Sequence, residues 1–153
     1  MENVDDATVT NPDDLVVDED SEEHTVDVLA NDSDADNELS IQSIDFDETK
    51  ISASIVDNKI QVTTIQDVNG EFEIKYTTNT GSQETLTVTV NAVNDAPVAI
   101  NSSANVLENS TNNTITLNIS DVDGDDLTVL NPTALHGSVT VNSDNTLSYT
   151  PNA

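Results

Sequence analysis

Hydrophobic side chains recur at every second position along much of this chain. In Thr85-Leu86-Thr87-Val88-Thr89-Val90 the aliphatics at 86, 88 and 90 fall on one side and the threonines on the other. That is the pattern of a half-buried strand. The same alternation runs through Phe72/Ile74/Tyr76, Ile60/Val62, Ile115/Leu117/Ile119, Val139/Val141 and Leu147/Tyr149, with shorter instances at Val26/Val28 and Leu39/Ile41. Clusters such as Asp57-Asn58 and Asn79-Thr80-Gly81 separate these runs and read as turns. No stretch has the 3.6-residue period of a helix. Short strands with turn signals between them predict an all-β sandwich.

The pattern is also duplicated. Asn3-Val4-Asp5-Asp6-Ala7 recurs as Ala92-Val93-Asn94-Asp95-Ala96, followed by Pro97. Asp6 to Asp95 and Glu19 to Glu108 are each 89 residues apart, whereas Asp34 to Asp121 and Asp36 to Asp123 are each 87 apart. Two residues are therefore missing from the loop before Asp121. Ordered, matching elements with one small deletion indicate an internal repeat. Repeat one occupies residues 1–93, a linker residues 94–97, and repeat two residues 98–153. Repeat two has no counterpart of Gly70–Asn91, the last two strands of repeat one. It is expected to stop early or to be completed elsewhere in a longer protein, after an inserted domain.

Charge narrows the functional classes. Thirty acidic residues face three lysines (Lys50, Lys59 and Lys75), giving a formal charge of −27. Such a charge opposes compaction unless salt or cations offset it. Without a basic patch, phosphate neutralisation has no partner here, which excludes nucleic acid. No apolar run is long enough to span a bilayer, so membrane insertion is excluded too. The chain has no cysteine, so disulfides cannot staple it, and a divalent metal is the natural substitute. The N-terminus lacks a signal-peptide pattern; the start at Met1-Glu2-Asn3 reads as the beginning of an internal segment.

Two loops place carboxylates at alternate positions: Asp32, Asp34, Asp36 and Glu38 in repeat one, and Asp121, Asp123 and Asp125 in repeat two. Residues two apart on extended backbone point the same way. Asp34 with Asp36, and Asp121 with Asp123, can thus converge on one cation, and Gly124 allows the loop to turn. Six to eight oxygens in loose geometry suit Ca²⁺ better than Mg²⁺. The loops are not EF-hands: the sixth and twelfth positions hold Asn37 and Ser43 counted from Asp32, and Asp126 and Pro132 counted from Asp121, where Gly and Glu are required. The bland alternative for each loop is a solvated turn.

The segments Val28–Asp36, Asn91–Pro97 and Asp121–Thr128 resemble the bacterial cadherin-like tandem repeats of large surface adhesins. This resemblance covers nearly the whole chain. It implies tandem seven-stranded Greek-key Ig/cadherin-like β-sandwiches, the second lacking its last two strands. It also implies a secreted protein displayed on the bacterial cell surface, in which repeats extend a ligand-binding region and support adhesion and biofilm. Calcium in such arrays sits between domains. Carried over, the ligands are Glu19, Asp67 or Glu71, Asn94 and Asp95 of the linker, and Asp121 and Asp123 with Asp125 in the acidic loop. An equivalent upstream site would use Asp5, Asp6, Asp34 and Asp36. The linker departs from the cadherin pattern in having Asn91 where its first Asp would be, which leaves the number of ions between one and three.

Other chemistry is thin. His24 and His136 lack ligand or triad spacing and read as surface residues. A glycosidase carboxylate pair needs sugar-stacking aromatics, and only Phe46, Phe72, Tyr76 and Tyr149 are available. Lys75 offers an isopeptide partner for an Asn or Asp, or is a solvated lysine beside Glu73. The Asn-x-Ser/Thr sequons at Asn31, Asn101, Asn109, Asn112 and Asn118 reflect composition. Three readings remain: a non-enzymatic, calcium-rigidified extender contacting neighbouring repeats of its own chain; a module binding a carbohydrate or a protein, with a cell-surface protein or glycan reached through other domains; and an accessory domain of a secreted enzyme.

Overall fold

The computed structural model describes residues 5–153; Asn3 and Val4, which open the first copy of the linker motif, lie outside the described residues. The chain divides into two compact units at Val93/Asn94. The described residues contain strands, turns and bends but no helix.

Unit 1 has seven strands: β1 (Asp13–Asp18), β2 (His24–Val26), β3 (Ile41–Asp45), β4 (Ile51–Val56), β5 (Lys59–Thr64), β6 (Gly70–Thr78) and β7 (Gln83–Asn91). They form two sheets, ordered β1-β7-β6-β3 and β2-β5-β4. The long β6–β7 hairpin is antiparallel, with Ile74 opposite Leu86 and Phe72 opposite Val88. β1 runs parallel to β7, from Asp13 opposite Leu86 to Asp18 opposite Asn91. This two-sheet arrangement is the β-sandwich that the alternation predicted, in the Ig-like form that the resemblance implied.

The core lies between the sheets. Ile74, Tyr76, Leu86, Val88 and Val90 from one sheet meet Ile51, Ile60 and Val62 from the other, with Val17, Val28 and Ile41 completing the cluster. Apart from Val28, each is a strand position whose neighbours are less buried, as period two requires. The turn β4–β5 places Asp57 and Asn58 at φ 49° and 62°, the left-handed pair of a two-residue hairpin turn.

Three strands were not visible in the alternation. In β1, exposed Val16 interrupts the Leu15/Val17 pair. In β4, Ala53 is too small to mark the inward face between Ile51 and Ile55. The third, β8 (Val98–Ile100), is exposed throughout. Val28, expected on a strand, is fully buried in the turn after β2 instead.

Unit 2 comprises β8, β9 (Asn113–Ile115), β10 (Asn118–Ser120), β11 (Gly137–Val141) and β12 (Leu147–Pro151). The run Ile115/Leu117/Ile119, expected as one strand, is divided between β9 and β10. β9 joins the sheet β11-β12-β9, and β10 leaves it to pair with β8. Sheet β11-β12-β9 repeats β4-β5-β2: Leu147 opposes Ile115 as Ile60 opposes Val26. The β8–β10 pair repeats the isolated bridge Val9–Ser33, since Val98 opposes Ser120. The two-residue deletion thus falls between Ile115 and Asp121, where unit 1 has the turns of Asp27–Asp32.

Unit 2 lacks counterparts not only of β6 and β7 but also of β1 and β3. The reason is in unit 1, where β1 pairs with β7 and β3 with β6. Without those partners, the corresponding segments of unit 2 have no ladder to join. Two of their aliphatics stay in solvent, Leu107 at 80 % and Leu130 at 73 % exposed, while Val106 and Val129 are half-buried.

Both units share a clamp that periodicity does not reveal. Asn58 Oδ1 accepts the Ile41 N–H at 2.7 Å while its Nδ2 donates to the Leu39 carbonyl at 3.2 Å. In unit 2, Asn145 accepts from Val129 N–H at 3.2 Å and donates to the Leu127 carbonyl at 2.6 Å. Asn145 has the same φ of 62°. One left-handed Asn at a hairpin thus holds, in unit 1, the backbone entering the opposite sheet and, in unit 2, the segment equivalent to it. Asn58→Gly keeps the conformation but loses both bonds and should cost about 1–2 kcal/mol. Asn58→Ala adds about 1 kcal/mol for the left-handed backbone. Thermal unfolding followed through the buried Tyr76 measures both, and equal stabilities for the two variants would contradict the argument.

A second polar feature closes the sandwich edge. The Tyr76 hydroxyl donates to Asp32 Oδ2 at 2.7 Å, and Asp13 Oδ2 lies 3.5 Å from it. Asp32 Oδ1 accepts the Asn11 N–H at 2.8 Å. Burial, with the Asp32 charge nearby, pushes the Asp13 carboxyl up to about 6, while the phenol is pushed up by burial and by Asp32. Because its folded pKa exceeds the ordinary 3.8, Asp13 binds more protons folded than unfolded between those values. Its contribution to stability therefore falls as pH rises through that window. Asp13→Asn should raise the melting temperature of unit 1 at pH 7 (about neutrality) and reduce the gain seen on acidification. A gain identical to wild type would show that general charge relief alone is responsible.

Candidate metal centre

The acidic loops form the same construction in each unit. In unit 1, Asp34 Oδ1 accepts the N–H groups of Asp36 and Asn37 at 2.9 and 2.7 Å. In unit 2, Asp121 Oδ1 accepts those of Asp123 and Asp125 at 3.0 and 3.4 Å. These are Asx-type turns, in which a short side chain folds its own backbone. Gly124 lies at φ 78° in the second loop, the turn for which a glycine was expected. A linker amide then closes onto each loop. Asp6 N–H donates to Asp36 Oδ2 at 2.8 Å, and Asp95 N–H donates to Asp123 Oδ2 at 2.6 Å. Asp5 joins the first group through Asn37 Nδ2, at 3.1 Å.

The loops differ in what they leave open. Asp34 Oδ2 accepts the Thr8 hydroxyl at 2.5 Å, and Thr8 Oγ1 also lies 2.7 Å from Thr80 Oγ1. The Thr8 hydroxyl, then the Asp36 N–H and Asn37, hold the exposed Asp34 carboxyl down at about 2. It is therefore charged at any ordinary pH. The residue corresponding to Thr8 in unit 2 is Pro97, which has no hydroxyl to give. Asp121 Oδ2 accordingly has no hydrogen-bond donor among the described residues. Asp121 lines an open groove of about 410 Å³ with Asn94, Asp95, Asp125 and the aliphatics Val98, Ile119 and Val129. Asn94 Nδ2 is turned to the Asp95 carbonyl at 2.9 Å, which leaves its amide oxygen as a potential donor to a cation. The donor set is all oxygen, with neither imidazole nor thiolate, and its charge and chemistry fit a hard cation such as Ca²⁺.

At the end of β7, unit 1 gathers a further set. Glu19 is only 4 % exposed. Its Oε1 accepts the Val93 N–H at 2.8 Å and its Oε2 accepts Asn69 Nδ2 at 3.1 Å. Its own N–H donates to the Asn91 carbonyl at 2.9 Å. Glu19 thus ties the exit of β7 to the exit of β1. Asp67, at φ 57°, donates its N–H to Asp20 Oδ1 at 3.2 Å. Of the two acids considered for this position, Asp67 joins the Glu19–Asp20 end of the unit, whereas Glu71 lies exposed on β6 opposite Thr89. Asp20 and Asn69 were missed. The signal for Asp20 was its place next to Glu19; Asn69 offered none, because a loop asparagine is unremarkable until its partner is known.

The remaining candidates fall away from these clusters. His24 is half-buried rather than a plain surface residue, with Nε2 3.0 Å from Ser21 Oγ. Asn113 makes the matching contact to Ser110 Oγ at 2.8 Å in unit 2, so the position is structural in both copies. His136 is exposed. Lys75 is exposed on β6, between Asp45 of β3 and Thr85 of β7. None of the four aromatics is exposed, so no stacking platform faces solvent.

Two Ig-like units, each with an acidic linker-and-loop construction, define a tandem β-sandwich module. The model of the bacterial Ig domain matches residues 5–93, and that of the bacterial cadherin-like domain matches residues 94–153. The chain belongs to the bacterial Ig-domain family, with a cadherin-like second unit. Modules of these two kinds are typically extracellular structural domains rather than catalysts. No helix of the described residues is long and apolar enough to cross a membrane. No curated protein sequence matches the chain. Among solved structures, the titin domains z1z2 in complex with telethonin are similar at 14 % identity and a TM-score of 0.35, covering 99 % of this chain and 84 % of that one.

Proposed function

We propose that this chain is a calcium-stiffened extender segment of a bacterial surface adhesin, secreted and held outside the cell, whose partners are the neighbouring repeats of its own chain. The observation that carries this reading is the closure of linker onto acidic loop, by Asp6 on Asp36 and by Asp95 on Asp123. A chain of charge −27 gains little by folding carboxylates onto its linkers unless a cation is to be collected there. In this reading the oxygens of Asn94, Asp95, Asp121, Asp123 and Asp125 form one side of the calcium site. In unit 1, Asp67 and Asp20 form a further acidic pair near the β7 exit, where Glu19 serves as the buried support. Asp5, Asp6, Asp34 and Asp36 form the corresponding half-site toward an upstream repeat.

The mechanism is electrostatic. Without calcium, the clustered carboxylates repel one another and the linker is free to swing. With calcium, they become shared ligands and successive repeats are held in line. The affinity expected for an extracellular module of this type is about 10⁻⁴–10⁻³ M.

Small-angle scattering and limited proteolysis, in calcium at about 10⁻³ M and in chelator, test the reading. Calcium should extend the distance distribution and protect the segment 91–97 from cleavage; no change in either would leave the loops as solvated turns. Replacing both Asp121 and Asp123 by Ala should lower calcium affinity by at least about tenfold, because ligand charge count sets affinity in such sites. Unit 1 should melt as before in that variant, since its core contains neither residue. An unchanged calorimetric isotherm would remove these two aspartates from the site.

A further inference from the structure

The two sheets of unit 1 have four outer edges, and three of them carry a device that discourages another strand from pairing. β1 carries Asp13, Asp14 and Asp18. β2 is three residues long, with Glu22 and Glu23 just before it and Asp27 just after. β3 contains a register break between Ile41 and Ser43 and ends on Asp45. β4 has none of these. It reads Ile51-Ser52-Ala53-Ser54-Ile55-Val56, with no charge and no proline, and it pairs with β5 over six consecutive positions without a bulge. Ile55 and Val56 are 37 % and 41 % exposed.

The surrounding charge is as unusual as the strand. Two of the three lysines of this acidic chain flank β4 and its turn: Lys50 precedes the strand and Lys59 opens β5. Lys59 is paired with Asp27 at 3.0 Å. Lys50 is exposed immediately before β4, and Asp57 is exposed immediately after it. The charges immediately flanking the strand, Lys50 and Asp57, are thus opposite in sign, with Asp47 and Glu48 just beyond Lys50. That opposition makes the strand complementary to itself when two copies meet in opposite directions.

We propose that β4 is a homotypic docking edge, pairing antiparallel with β4 of a second copy of this chain. Directly opposite residues in an antiparallel pair lie on the same face of the sheet. A two-fold pairing must therefore be centred on a residue, and centring on Ala53 gives the longest overlap. Ile51 then faces Ile55 of the second copy, Ala53 faces its equivalent, and Ser52 faces Ser54 of the second copy. Lys50 comes beside Val56 and within one residue of Asp57 of the second copy, and the reciprocal contact repeats it at the other end. The two sheets become one continuous sheet of six strands, and Ile55 is covered. This inference does not depend on the calcium site.

The 153-residue chain is examined by sedimentation equilibrium in chelator, at about 0.15 M salt to screen the net charge. A reversible monomer–dimer equilibrium is expected. Ser54→Lys, an exposed position that leaves the core untouched, should weaken it by about tenfold or more, by placing like charges near the two-fold axis. Lys50→Asp should weaken it similarly, and the double variant Lys50→Asp with Asp57→Lys should restore it, which a purely structural role would not do. The chain has no cysteine, so Ala53→Cys reports register directly: opposed Cα atoms in such a pair are within disulfide reach. Ala53→Cys should form a disulfide dimer under oxidation faster than Ser52→Cys or Ile55→Cys. A chain that stays monomeric up to about 1 mM, a dimer indifferent to Ser54→Lys, or preferential crosslinking at another position would overturn the proposal.

Discussion

The hydrogen-bonded ladder of β7 is the constraint on which unit 1 depends. Among the described residues, β7 is the only strand flanked by both a parallel and an antiparallel partner, β1 on one side and β6 on the other. It also supplies Leu86, Val88 and Val90 to the core. Unit 2 shows what the β6–β7 hairpin does, because without it the segments corresponding to β1, the partner of β7, and β3, the partner of β6, are unpaired. Sheet formation is cooperative in this sense: a strand with good alternation still needs a neighbour to satisfy its backbone.

The ladder also organises the acidic chemistry. The exit of β7 is where Glu19 takes the Val93 amide, so the start of the linker is set by a buried carboxylate in unit 1. Within each unit, the Asx turn of Asp34 or Asp121 determines where the acidic loop presents its oxygens. Backbone amides hold the carboxylates near one another despite their repulsion, since each amide hydrogen bond to a charged oxygen is stronger than its neutral equivalent.

Much of this was legible because period two and turn chemistry are local. The strands built around Ile74 and Tyr76, around Leu86, Val88 and Val90, and around Ile60 and Val62 each declare an inward face without reference to anything else. The repeat offset located the loops, and the structure gives Asp34/Asp121 and Asp36/Asp123 matching hydrogen bonds. What stayed hidden was relational. Glu19 was assigned as a ligand from resemblance alone, and its hydrogen bonds from Asn69 and Val93 had no sequence signal. Asp32 belonged to an acidic loop in sequence, yet its carboxylate is occupied by Tyr76 and Asn11. Thr8 and Pro97 looked incidental, although they decide whether the loop aspartate keeps an oxygen free. In each case the deciding partner is at least 21 residues away along the chain, beyond the reach of any local pattern.

The parallel pairing of β1 with β7 has a mechanical consequence. The chain enters unit 1 ahead of β1 and leaves it after β7, and the two strands run side by side in the same direction over six residue pairs. Tension applied to the two ends therefore drags one strand along the other. All the ladder's hydrogen bonds are loaded at once in shear, instead of being peeled open one after another from an end. A tether built this way resists a sudden pull far better than a hairpin of equal bond count, and the part that resists is the edge of the sheet nearest the chain's own termini.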